Sequence, residues 1–124
     1  MRVKKSLATV HISNLSLETT IGWNTWEQQQ KQNVIINITF DFDQTAAVES
    51  DELNDTVDYR ALKNRIRREV ESTSFKLLEK LADHILEVVM SDERVVSATI
   101  KVDKPHALSL ADSVSVKISA ERER

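Results

Sequence analysis

The sequence predicts an α+β fold: a four-stranded antiparallel sheet with two helices on one face. Three observations predict it. Four segments alternate apolar and polar residues with the period of a strand, and two repeat apolar residues at helical spacing. They occur in the order ββααββ, so two hairpins flank a helical pair. The chain of 124 residues has one Gly and one Pro, where ordinary usage would give roughly eight and six, so most of it belongs in regular elements. The length fits a single domain, residues 1–124, with residues 1–7 and 120–124 as loose ends.

Residues 8–17 form the first strand. Ala8, Val10 and Ile12 alternate, Leu15 and Leu17 then alternate one residue out of step, and the extra residue at Ser13-Asn14 predicts a bulge or kink. Residues 32–42 form the second, with Val34, Ile36, Ile38, Phe40 and Phe42 toward the core. Tyr59, Leu62, Ile66 and Val70 predict a helix over 59–71, with Thr56 and Asp58 as candidate caps. A second helix is predicted over 75–90, capped by Ser74. Leu78, Leu81, Ile85 and Val89 form one apolar row of it, and Phe75, Ala82 and Leu86 a neighbouring row. Val96, Ala98, Ile100 and Val102 mark a strand over 95–103, and Val114, Val116 and Ile118 mark the last over 111–120. Four strands with two free edges invite pairing, and closing the sheet with copies of itself would make a barrel, so a homo-oligomer is expected.

Composition excludes several classes of function. With 40% hydrophobic and 30% charged residues, the chain reads as a soluble globular protein. It has no cysteine, which removes disulfides, thiol chemistry and cysteine-ligated zinc. Gly22 stands alone, so there is no glycine-rich phosphate loop. No apolar run reaches the ~18 residues of a membrane span, and no signal-type run follows the basic start, so the cytoplasm is the default expectation. A formal net charge of −3 opposes a nucleic-acid module. The densest basic run, Lys63 to Arg68, reads as the wet face of a helix balanced by Glu69 and Glu71. Ferredoxin-like RNA binders place a helix after their first strand, which this order does not.

The residues with chemical potential are few. The strand over 95–103 runs into Asp103-Lys104-Pro105-His106. Pro105 cannot donate to a ladder and biases Lys104 toward extended geometry, so a cation is held at a strand end by a stiff backbone. The plainer reading is a solvated loop with ordinary charges. Glu79 falls inside the row of Phe75, Ala82 and Leu86, where an unpaired carboxylate is costly. Either a cation or hydrogen-bond donors of the protein meet it, or a ligand does. Tyr59 opens a helix, where core packing with a satisfied hydroxyl is the simple reading. Glu27, in the polar stretch 20–32, would alone be a solvated acid. Trp23 and Trp26 read as core or interface, or as a pocket wall. His84 reads as a half-exposed surface group. His11, His84 and His106 include no pair at metal-ligand spacing, so no metal or other cofactor is expected. An enzyme built from this chain must use Lys, Glu, Tyr, His and water as its acid–base groups.

Four segments together resemble the dihydroneopterin aldolase family, with its dihydroneopterin triphosphate 2′-epimerase branch. They are Thr20-Ile21-Gly22 followed by Trp26-Glu27; Asn54-Asp55-Thr56-Val57-Asp58-Tyr59; Phe75-Lys76-Leu77-Leu78-Glu79-Lys80-Leu81; and Val102-Asp103-Lys104-Pro105-His106-Ala107-Leu108. The likeness spans residues 8–119. It implies the tunnelling fold, in which sheets of four subunits join into a barrel, two such rings commonly stack into an octamer, and active sites lie between subunits. It implies that Glu79 anchors the amino and amide nitrogens of a pterin ring, with Leu78 contributing backbone groups. Tyr59, with Val57 nearby, would enter from the adjacent subunit, and Lys104 and Glu27 would face the hydroxylated side chain. The chemistry implied is a retro-aldol cleavage that needs neither metal nor Schiff base.

The resemblance divides between two activities. Thr19-Thr20-Ile21-Gly22 and Trp26-Glu27-Gln28 look like the aldolases. Asp103–Leu108 with Ala111-Asp112-Ser113-Val114-Ser115 looks more like the epimerases. Aldolases often have glycine where this chain has His106, which could be a second acid–base group or touch a phosphate. Arg60, Lys63 and Lys101 are candidate cations for a triphosphate. The expected function is the epimerase, with the aldolase of folate biosynthesis as the alternative. A non-catalytic pterin-binding oligomer is the reading from another class.

Overall fold

The computed structural model describes residues 3–123. Among these residues, β1 (Ala8–Ile21), β2 (Gln32–Phe42), β3 (Ser74–Phe75), β4 (Val95–Pro105) and β5 (Ser113–Glu121) form one sheet in the order β3-β1-β2-β4-β5. The helices are α1 (Thr45–Ser50), α2 (Tyr59–Ser72) and α3 (Leu78–Met90). The β1–β2, β2–β4 and β4–β5 pairs are antiparallel, and β3 runs parallel to β1. This is the α+β arrangement expected, with a fifth, two-residue strand added.

Alternation decides what each face of the sheet meets. Val34, Ile36, Ile38, Phe40 and Phe42 of β2 are buried, as are Val95, Ala98, Ile100 and Val102 of β4. They join Ile66 and Val70 of α2 and Leu81, Ala82, Ile85 and Val89 of α3 in one core cluster. α2 packs against β1, and α3 against β4 and β5. The other face is polar. There His11 bonds Thr39, Asn37 bonds Asn14, and Thr99 bonds Ser119 across neighbouring strands. The frame change in β1 is a bulge: register shifts between Ile12 and Leu15, and Asn14 takes φ 54°.

Local signals place α2 well. Asp58 caps it, accepting from the backbone N–H groups of Arg60 and Ala61, while Thr56 makes no cap. Its basic run is laced by Arg65–Glu69 and Arg67–Glu71 pairs one turn apart, with Ile66 turned into the core.

The segment after α2 differs from expectation. The second helix was expected from residue 75 with a Ser74 cap, but it begins at Leu78 and Leu77 provides no side-chain cap. Ser74 and Phe75 are extended and pair with Thr20 and Ile21. The cause is tertiary. The buried Thr19 hydroxyl donates to the carbonyls of Val70 at 2.7 Å and Thr73 at 3.1 Å, which ties the end of α2 to β1 and lays the next residues along it. Phe75 is then buried from a strand, at centroid distance 5.7 Å edge-on to His84. His84 is half-buried and bonds Glu69 at 2.9 Å.

Other differences lie at ends and connections. β1 continues to Ile21, four residues beyond the expected strand, because its last residues pair with both β2 and β3. The short α1 was not anticipated; Asp43 accepts from the Thr45 backbone N–H ahead of it. β5 continues to Glu121, and the Arg122 guanidinium donates to the carbonyls of Met90 and Val95, so residues 120–122 are fastened rather than loose. Residues 3–7 have no regular structure. The expectation of loose ends at residues 1, 2 and 124 lies outside the described residues.

Thr19→Val keeps the shape of the side chain and removes the donor shared by two carbonyls at the end of α2. The expected cost is about 1–3 kcal/mol, read as a lower urea midpoint. An unchanged midpoint would show that the hydroxyl does not hold this junction.

Candidate active site

The site is built at the end of the sheet where β1 and β4 finish. β2 pairs with β4 as far as Asp103, so Lys104 and Pro105 have only β5 beside them, Pro105 opposite Ser113. A residue without a backbone N–H is tolerated there because one side of the strand has no ladder to complete. Alternation turns Lys104 to the same face as Val102 and Ile100, the side that carries the core.

The β1–β2 connection supplies the partner. Gly22 ends β1 with φ 130°, a conformation that side chains rarely adopt, and its N–H donates to the Phe75 carbonyl at 2.9 Å. A Cβ built on Gly22 would overlap the Glu27 carboxyl, so the only glycine of the chain is what lets that carboxyl fold back under the strand end. The turn is closed by the Glu27 and Gln28 backbone N–H groups, which donate to the Asn24 carbonyl at 3.0 and 3.2 Å.

Lys104 donates to Glu27 Oε2 in an ion pair with side-chain exposures of 12% and 7%. Asn24 Nδ2 donates to Oε1 at 3.0 Å, and Gln32 Nε2 reaches Oε2 at 3.4 Å while donating to the Ile21 carbonyl at 2.9 Å. The hydrogen bond from Lys104 holds the Glu27 carboxyl below its ordinary value of 4.5, against burial, which pushes it up; Gln32 acts in the same direction as Lys104. The pair therefore holds an ammonium and a carboxylate in fixed positions next to open loops.

The other expected residues are distributed in two groups. Glu79 lies in the first turn of α3 with Leu78 half-buried beside it, a few residues after the Phe75 carbonyl that meets Gly22. Contrary to the expectation of a carboxylate in an apolar row, Glu79 is exposed, and no hydrogen bond or ion pair to it occurs among the described residues. The row assumed a helix through Phe75, which is in β3. Val57 is buried and Tyr59 is 62% exposed, both at the start of α2. That end of the molecule lies against the start of β4, where the Arg94 guanidinium donates to the Asn54 carbonyl at 2.9 Å. β4 spans ten steps of ~3.3 Å, so Lys104 lies at the far end of that strand from the end against which the segment before α2 rests.

His106 is exposed with φ 57°, and its N–H donates to the Asp112 carbonyl at 2.9 Å, closing the β4–β5 loop. Trp23 and Trp26 are 70% and 57% exposed, so they are not core residues of this chain. Lys101 sits 3.9 Å from Asp103, while Arg60 is exposed and Lys63 half-buried on α2. Asn24 and Gln32, the two amides on Glu27, were not singled out from the sequence. The available signal was the polar stretch that follows the only glycine.

The depressed carboxyl sets the sign of the pH dependence. Its contribution to stability is present above the ordinary carboxylate value and is lost as pH falls through the lower folded value. In Lys104→Ala the main cause of depression is gone and burial dominates, so the Glu27 midpoint should rise and acid unfolding should begin at higher pH. Carboxyl-carbon NMR of the variant checks this; a midpoint equal to that of the parent protein would rule out Lys104 as the cause.

The sequence profile of the dihydroneopterin aldolase family (FolB) matches residues 10–119. A dihydroneopterin triphosphate 2′-epimerase of Pseudomonas aeruginosa is 37% identical over 121 residues, 98% of each chain. A dihydroneopterin aldolase of Escherichia coli is 32% identical over 109 residues, 88% of this chain and 89% of that one. The crystal structure of Escherichia coli dihydroneopterin aldolase in complex with neopterin superposes with TM-score 0.86 at 31% identity, covering 92% of this chain and 99% of that one. By profile, by relatives along nearly its whole length and by fold, the chain belongs to the dihydroneopterin aldolase family.

Proposed function

We propose that the protein acts on the trihydroxypropyl side chain of 7,8-dihydroneopterin or its triphosphate by metal-free retro-aldol chemistry, with 2′-epimerisation of the triphosphate as the main activity. The observation that carries this reading is the buried Glu27–Lys104 pair at the strand end. The pterin's C6=N5 imine accepts electrons as the C1′–C2′ bond breaks. A base takes the 2′-hydroxyl proton, and N5 is protonated through water. With Glu27 fixing its ammonium, Lys104 gives a proton through water to N5 and, as the neutral amine so formed, takes the 2′-hydroxyl proton, with Tyr59 assisting. Loss of the aldehyde from the site gives the aldolase outcome. Its re-addition after turning over inverts C2′ and gives the epimerase outcome.

Ring recognition is assigned to the start of α3. Its first backbone N–H groups have no partner within the helix, and Glu79 is an exposed acceptor beside them. This combination suits a ring edge that presents both acceptors and N–H donors. Val57 and Tyr59 cannot reach Lys104 within one chain, so a second copy supplies them. Edge-to-edge association fits the sheet, whose helix-free face is polar and whose β5 edge has half-buried Val114, Val116 and Ile118. A homo-oligomer with sites between subunits follows from this reading. The epimerase is favoured over the aldolase by the segment Asp103–Leu108 and by identities of 37% against 32%.

Incubation with 7,8-dihydroneopterin and, separately, its triphosphate, followed by chromatography of the pterins, tests the choice. An epimer formed mainly from the triphosphate is expected. Release of 6-hydroxymethyl-7,8-dihydropterin as the main product would make the protein an aldolase of folate biosynthesis, and no product from either would leave a pterin-binding oligomer.

Two substitutions test the residue roles. Lys104→Ala should lower turnover roughly 10²–10⁴-fold, and normal turnover would remove Lys104 from the chemistry. Glu79→Ala should abolish most pterin binding in a fluorescence titration, and an unchanged dissociation constant would refute the anchor.

A further inference from the structure

We propose that Asn24 is a positioning residue for the Glu27–Lys104 pair: its side-chain amide holds one carboxylate oxygen so that the other stays on the ammonium. The role rests on the reading of that pair as the catalytic centre. The clamp itself is a matter of geometry.

Glu27 is gripped at both oxygens. Oε1 accepts from Asn24 Nδ2 at 3.0 Å, and Oε2 accepts from Lys104 with the Gln32 amide more distant at 3.4 Å. The terminal torsion of a glutamate is broad, so a carboxylate held at one oxygen can swing about it. A donor on the second oxygen removes that freedom. Asn24 is itself fixed by the turn it belongs to, since its backbone carbonyl accepts from the N–H groups of Glu27 and Gln28. On the other side Gly22 leaves the space the carboxyl occupies. Lys104 is the ion that faces Glu27; the remaining contacts are the neutral side-chain amides of Asn24 and Gln32 and the Asn24 backbone N–H, which the substitutions below leave in place. The nearby Lys31 is directed to the Glu71 carbonyl at 3.2 Å. A carboxylate anchored in this way keeps the Lys104 ammonium aimed along one line.

Asn24→Asp tests the clamp. It keeps the shape and the backbone turn but replaces the donor by an acceptor. In carboxyl-carbon NMR the Glu27 midpoint should rise, because a donor is replaced by a second carboxylate. With the preferred dihydroneopterin substrate, kcat should fall roughly ten- to a hundredfold, with KM little changed because the ring anchor is elsewhere. Asn24→Ala, which adds no charge, should move the midpoint in the same direction by less. A Glu27 midpoint unmoved in both variants would overturn the proposal, whatever happens to turnover. A midpoint that moves in a protein inactive on every dihydroneopterin substrate would leave the clamp standing and defeat the functional reading instead.

Discussion

The rest of the structure depends on one contact, the ion pair between Glu27 and Lys104. Bringing two charges out of water is unfavourable unless each is met at close range by the other and by further donors. The chain meets that demand with parts that are far apart in sequence. β4 overshoots β2 so that Lys104 stands past the last cross-strand partner. The β1–β2 loop folds back by way of a positive-φ glycine. β3 receives the Gly22 N–H and so fixes where the loop begins. A shift of one residue in the β2–β4 register would turn Lys104 to the polar face of the sheet and break the pair.

On the proposed reading one copy presents only half of a pocket, and the sheet accounts for that. Its core face is closed by α2 and α3, and its other face carries hydrogen-bonded polar pairs. What remains exposed at the two ends differs in character. At the end that carries the ion pair are Trp23, Trp26, Leu108 and Glu79; at the other are Leu53 and Tyr59. Large apolar side chains stand in water at both ends of this small domain. Head-to-tail pairing of sheet edges would bring the two ends together and satisfy both.

Much of this was legible in the sequence because the relevant forces are local. The strand period fixed β2 and β4, the phase slip at Ser13-Asn14 located the bulge, and Asp58 marked the start of α2. The proposed site residues were named from four short motifs rather than from periodicity. The misread segment was 74–77, where a helical period continued through Phe75. A buried hydroxyl on β1, 51 residues away from its carbonyl on α2, decided otherwise. Reading Glu79 as buried followed from that error. The polar clamp of Asn24 and Gln32 was illegible for a related reason: amides in a polar loop gain meaning only when a distant cation makes their neighbour a buried carboxylate.

The choice between the two activities turns on charge as well as on retention of the aldehyde. Glu27 neutralises Lys104, so the pair offers little net field to a polyphosphate, whatever its role in proton transfer. Lys101 is near Asp103 and is similarly offset. A triphosphate would then draw on cations other than Lys104 and Lys101. Arg60 follows Tyr59 in the first turn of α2, and Lys63 lies one turn on from Tyr59. Any association that delivers Tyr59 to Lys104 delivers these two cations with it. On this view the subunit that completes the acid–base machinery also sets the charge of the substrate that the pocket accepts.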